Sequence, residues 1–144
     1  MMTALEFLNR PAMVEKRLNA ALRKVELYKS LTERITVSFG GETVSRTRDM
    51  TANETAIIKL MEAKDTVSTL KNEYEAIIDE TVAVLSQLEE DYGDTILYMH
   101  YLKQMSFKAI GKELHLGHSQ VYNHHDLAVS ELEKYLKRRH DDES

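Results

Sequence analysis

The sequence contains no cysteine, no tryptophan, one proline and five glycines in 144 residues. Without cysteine there is no disulfide framework and no thiolate zinc site, which suits a reducing cytoplasm. With so few chain breakers, long uninterrupted elements are expected, and helix is the simplest of them. No apolar run approaches the roughly 20 residues of a membrane helix. The opening "MMTALEFLNRPAMVEKR" has an early acid and no apolar stretch of signal-peptide length, so a cytoplasmic protein with no membrane partner is expected. Also lacking are a glycine-rich phosphate loop, a serine or cysteine in a nucleophile elbow, and paired acids at a recognisable spacing. The expectation is therefore a protein that is not an enzyme and uses no cofactor.

Charge is present but uneven. The net charge of −5 argues against nucleic acid when taken whole. Residues 1–99 hold 12 Lys/Arg against 17 Asp/Glu, whereas residues 100–140 hold 7 against 4. The tail "DDES" is acidic again. Contact with phosphates depends on local charge, because salt screens over about 8–10 Å. Residues 100–140 are thus the basic part of an acidic chain.

Apolar periodicity divides the chain. Over 3–35, Val14, Leu18, Ala21, Leu22, Val25 and Tyr28 recur at three- and four-residue steps, which predicts an amphipathic helix with Pro11 near its start. The stretch "TVSFGGETVSRTRDM", residues 36–50, has no helical period and reads as a flexible connection or a short hairpin. A second helix is expected from Thr51 or Asn53 to about Glu90. Along it Leu60, Ala63, Val67, Leu70, Tyr74, Ile77, Thr81, Val84 and Leu88 form a heptad seam. At 1.5 Å per residue such a helix is roughly 58 Å long and cannot bury its own seam. The simplest arrangement is an antiparallel, coiled-coil-like helical hairpin. Val67, Leu70, Tyr74, Ile77, Val84 and Leu88 are the candidate oligomerisation seam of a homodimer or higher oligomer. "EEDYGDT", residues 89–95, marks a boundary: Gly93 follows an acidic cluster that a helix C-terminus disfavours.

The expected architecture is all-α. Residues 1–92 form the hairpin arm with its loop at 36–50, residues 93–140 a C-terminal helix-turn-helix, and 141–144 an acidic tail. In the last part, "DTILYMHYLKQM" reads as a short helix. Ser106 caps a helix bearing Phe107, Ile110 and Leu114. "HLGH" breaks it, with Leu116 at the corner. A final helix turns Val121, His124, Ala128, Leu132 and Leu136 inward. Gly111 sits where a small residue lets the two helices cross closely. His118, Ser119, Gln120, Tyr122 and Asn123 then point outward, at the positions that read base edges in the major groove. Gln and Asn suit adenine N6 and N7. Lys103, Ser106, Lys108, Lys112, His125, Lys137, Arg138 and Arg139 are the candidate phosphate contacts.

All six histidines lie between His100 and His140, four of them within "HLGHSQVYNHH". His115 and His118 span a turn, and adjacent His124 and His125 diverge by about 100° on a helix, so no metal site is expected. Histidines at a DNA interface gain charge below about pH 6.5, which would strengthen phosphate binding.

The segment "SFKAIGKELHLGHSQVYNHHDLAVSEL", residues 106–132, resembles region 4 of sigma-70-type factors, in "AIGKEL", in Leu116 and Val121, and in "AVSEL". The whole chain resembles small phage-encoded sigma region 4-like regulators of Gram-positive bacteria. The features are "LYKSLTERIT", a linker with "SRTRD", "YLKQMSFKAIGKEL" and "SQVYNHHDLAVSELEKYL". The resemblance implies a DNA-binding transcriptional regulator with double-stranded DNA as partner and RNA polymerase as a further candidate. Sigma factors usually carry several arginines at the start of the recognition helix. Here His118, Ser119, Gln120, Tyr122 and Asn123 stand instead, so promoter specificity does not carry over. Two other readings fit the same layout: a small terminase-like DNA-packaging subunit, and a protein-binding anti-sigma or anti-repressor factor.

Overall fold

The computed structural model describes residues 2–39 and 46–143, with side chains over 2–35 and 51–143. Among them there are five α-helices and no strand: α1 (Ala4–Phe39), α2 (Arg46–Leu85), α3 (Gly93–Leu97), α4 (Phe107–Leu114) and α5 (His118–Glu143). A single π-helical turn, Tyr98–Leu102, continues α3. The all-α expectation holds, and no described helix is long and apolar enough to cross a membrane.

Several boundaries differ from those expected. The start of α1 is the expected one: Ala4 is its first residue, and the hydroxyl of Thr3 just before it accepts the Glu6 N–H at 3.1 Å. The local sequence "TALE" is a capping-box pattern. Pro11 therefore lies inside α1, where its ring is fully buried, rather than at the helix entry. Its missing N–H costs one backbone bond, which burial of the ring offsets. Residues 36–39 continue α1 and 46–50 begin α2, so the connection is shorter than 36–50; the rest of that stretch, 40–45, lies outside the described residues. "RTRDM" contains neither glycine nor proline and extends α2 upstream of Thr51. At its other end α2 stops at Leu85, not Glu90. There Gln87 N–H bonds the Val84 carbonyl and Leu88 N–H that of Leu85, tightening the last turn.

The chain divides into two compact units. One is Val14–Glu73. Within it Val14, Ala21, Ala56 and Ala63 are buried, and Leu18, Val25, Leu60, Val67 and Leu70 are half-buried. Residues of both long helices, among them Ala21, Tyr28 and Ala63, line a cavity of about 180 Å³. The buried alanines follow the heptad seam, where small side chains permit close helix approach.

The other unit comprises the residues up to Met13 and those from Tyr74 onward. This division does not fall at 92–93, and the reason is the core. Ala4, Phe7 and Leu8 of α1 and Val84 and Leu85 of α2 form one buried cluster with Leu97, Ala128, Leu132 and Leu136. α5 carries a long apolar face that α3 and α4 are too short to cover. A second cluster joins Ile96, Met99, Ile110 and Val121, with Met105, Phe107, Leu114 and Leu116 packed around it. α3 wedges between the two clusters, giving Leu97 to one and Ile96 to the other. Polar contacts reinforce the arrangement. Ala4 N–H donates to Glu133 at 2.7 Å, and Glu131 accepts the Glu89 and Glu90 N–H groups at 2.7 and 3.0 Å. Glu80 bridges Arg10 at 3.2 Å and Arg139 at 3.4 Å.

Candidate nucleic-acid interface

The α4–α5 corner follows from local chemistry. Ser106, in extended conformation, accepts the Ala109 N–H at 3.1 Å and starts α4. His115 ends it in the left-handed region at φ 58°, ψ 40°. Leu116 N–H then reaches back to the Gly111 carbonyl at 2.9 Å, the bond of a Schellman-type stop. A β-carbon on Gly111 would lie 2.9 Å from the Leu116 carbonyl oxygen and 3.3 Å from Val121 Cγ2. The bare glycine is what lets the turn fold onto α4. Because a left-handed histidine carries a strain of about 1 kcal/mol, His115→Gly is expected to stabilise the protein by about 0.5–1 kcal/mol. Chemical denaturation would show the midpoint rising; a fall would mean that the His115 side chain holds the turn.

α5 opens with its own cap. Gln120 Oε1 accepts the Gly117 N–H at 2.8 Å, the backward half of a capping box. Gln120 is exposed as expected of a base reader, but its carbonyl oxygen is engaged at the helix start. His118, Ser119, Tyr122 and Asn123 are also exposed, and so form one surface with it. The apolar face behind them is as expected: Val121, Ala128, Leu132 and Leu136 are buried, and His124 is half-buried.

Rings fill the space beside this surface. His100 stacks on Phe107 at 4.0 Å between centroids, and Phe107 meets Tyr122 at 4.6 Å and His125 at 5.0 Å. His118 packs edge-on to Tyr122 at 4.7 Å. His100 Nδ1–H donates to the Met105 carbonyl at 2.7 Å, which fixes the chain between the π turn and α4. His124 pairs through Nδ1 with Glu90 and leans on Tyr92.

His125 was expected at the DNA backbone, yet both its nitrogens have protein partners. Tyr101 Oη is 2.9 Å from Nε2 and Asp126 Oδ1 is 3.0 Å from Nδ1. One neutral tautomer satisfies both: the phenol donates to Nε2, and Nδ1–H donates to the carboxylate. Burial, then the Asp126 charge, pushes the Tyr101 phenol above its ordinary value of 10.0. A raised folded-state value makes the protonated phenol a source of stability below about pH 10, lost as pH rises through the folded value. Tyr101→Phe is expected to flatten the decline of stability above pH 10 and to remove a late phase from the ultraviolet tyrosine titration. An unchanged titration would show that the phenol is not held in this way.

Lys103, Lys108, Lys112, Lys137 and Arg138 are exposed, as is Lys134. Lys103 Nζ lies 5.7 Å from the Tyr98 ring centroid. Arg139 differs: its guanidinium bridges Glu80 and Glu143, so it ties α5 to α2 and meets an acid at its own end of the helix. Ser106 serves as the α4 cap. The seam residues Val67, Leu70, Tyr74, Ile77 and Leu88 are half-buried and Val84 is buried within the single chain. Among the described residues no three His, Asp or Glu side chains converge as metal ligands.

Sequence reasoning missed Asp126, Tyr101 and Glu90 as partners of the histidines. Asp126 adjoins His125, a signal that was present. Tyr101 is 24 positions away and Glu90 is 34 from His124, so only the fold could reveal them. Comparison of the chain with protein-family models, with curated proteins and with solved structures finds no match.

Proposed function

We propose that the protein is a sequence-specific DNA-binding regulator of phage or prophage transcription, acting through a helix-turn-helix formed by α4 and α5. The observation that carries this reading is the corner at Gly111. A capped short helix, a left-handed stop and a longer helix meet there with no room for a β-carbon. The first turns of α5 expose Ser119, Gln120, Tyr122 and Asn123, and lysines flank them on α4 and at Lys103. In this reading α5 enters the major groove and the cations hold the backbone. The antiparallel hairpin of α1 and α2 is the oligomerisation arm. Its seam is largely covered within one chain, so a second copy would also use the exposed Ile57, Ile58 and Met61. RNA polymerase is a further candidate partner.

The test is fluorescence anisotropy of the full-length protein on duplexes from its own genomic neighbourhood and on scrambled controls, across salt. Lys103, Lys108, Lys112, Lys137 and Arg138 together predict a slope of log K against log salt of about −4.5 per protomer. Asn123→Ala is expected to erase the preference for native DNA while leaving the slope unchanged. It is a cleaner probe than Gln120→Ala, which would also remove the α5 cap at a cost of about 1 kcal/mol. Binding that is blind to sequence, or absent at low salt, would reject the proposal. One feature favours a protein-binding role as the second reading: the stretch of α5 from His118 to Asp126 has no arginine or lysine and one exposed acid, Asp126. A ring of many subunits would instead favour a packaging role.

A further inference from the structure

We propose that Asp126 is a specificity-determining residue that accepts a hydrogen bond from cytosine N4 in the major groove, held in place by Tyr101 and His125 acting as positioning residues. The inference rests on the DNA-binding reading above. At about 100° per residue, Asp126 falls between Tyr122 and Ser119 on the helical wheel, with Asn123 just beyond. It therefore stands on the same outward stripe as the candidate base readers, and its side chain is 77% exposed.

The carboxylate is not free to swing. His125 Nδ1–H holds Oδ1 at 3.0 Å, and the His125 ring is in turn fixed by the Tyr101 hydroxyl at 2.9 Å. Phe107 closes the other side of the ring edge-on at 5.0 Å. The His125 side chain is only 13% exposed, so the relay runs from Tyr101, packed against the core beneath α5, out to a single surface acid. Holding one oxygen leaves Oδ2 as a preorientated acceptor.

An acceptor-only group selects among base edges in a definite way. Guanine presents N7 and O6, and thymine O4, all acceptors that repel a carboxylate. Adenine offers the N6 donor, but beside the N7 acceptor. Cytosine offers the N4 donor without a neighbouring acceptor. The same negative charge is repelled by phosphates on every sequence. Asp126 thus weakens binding everywhere and recovers affinity only where cytosine is correctly placed, which is discrimination by penalty on the wrong partner.

The test is selection of bound duplexes from a randomised library by the full-length wild type, Asp126→Asn and Tyr101→Phe. The wild type is expected to prefer cytosine about tenfold at one position of its site. Asp126→Asn should abolish that preference and bind random DNA several-fold more tightly; as a surface change it leaves the fold intact. Tyr101→Phe should weaken the preference at that position and leave the other positions as they are, whereas a merely structural loss would lower all of them together. A wild type that selects a sequence with no position flattened by Asp126→Asn overturns this inference alone. A wild type that selects no sequence overturns the DNA-binding reading with it.

Discussion

Gly111→Val is expected to destabilise the protein by about 3 kcal/mol or more and, on the proposed DNA-binding function, to abolish DNA binding at 37 °C. The β-carbon would sit 2.9 Å from the Leu116 carbonyl oxygen, a backbone atom that cannot rotate away. The two γ-methyls would crowd Val121 Cγ2, already 3.3 Å from the β-carbon position. Overpacking of this kind costs about 1–3 kcal/mol, and a β-branched side chain adds rotamer restriction. Gly111→Ala is expected to fall between wild type and valine, because about 1 kcal/mol of improved helix propensity opposes the clash. Gly117→Ala is the control. Its β-carbon would meet only Gln120 Oε1, at 3.4 Å, and the effect should stay within about 0.5 kcal/mol. Urea denaturation of the three variants decides the matter. A Gly111→Val protein as stable as Gly117→Ala would mean that the turn does not pack against α4 as described.

The second large effect concerns residues far from the interface in sequence. Leu8→Ala is expected to cost about 2–5 kcal/mol, since Leu8 is fully buried against the cluster that supports α5. By the same reasoning, a fragment of residues 93–144 should not fold. It lacks Phe7, Leu8, Val84 and Leu85, whose burial contributes about 1.5–3 kcal/mol each. Their sum is comparable with the entire stability of a small domain, about 5–15 kcal/mol. The fragment also loses the Ala4 N–H that Glu133 accepts and the Glu80 carboxylate that holds Arg139. Circular dichroism and hydrogen exchange of the fragment would settle this. A cooperative unfolding transition, with protected amides in α5, would show that residues 93–144 are self-sufficient after all. Either outcome bears on the core of this unit, in which the first turns of α1 and the last turns of α2 pack with α5.

What the sequence by itself determined is the set of features whose causes lie within four residues. These are the all-helical content, the apolar seam of α2 from Leu60 to Val84, the Ser106 cap, the small Gly111, and the stop between Leu114 and His118. Backbone hydrogen bonding, capping and side-chain periodicity all act over one helical turn, so residue spacing reports them directly. The start of α1 belonged to the same class, since "TALE" carried its capping signal in plain view. What only the tertiary structure decided are pairings over long separations. The docking of Ala4 on Glu133 spans 129 positions, the pairing of His124 with Glu90 spans 34, and the link from Tyr101 to His125 spans 24. No periodicity encodes such contacts. They arise because α5 has more apolar surface than α3 and α4 can cover, and the chain covers it with the ends of α1 and α2. That burial assigned the histidines their partners, set His125 between Tyr101 and Asp126, and placed Ala4 and Leu136 in one core.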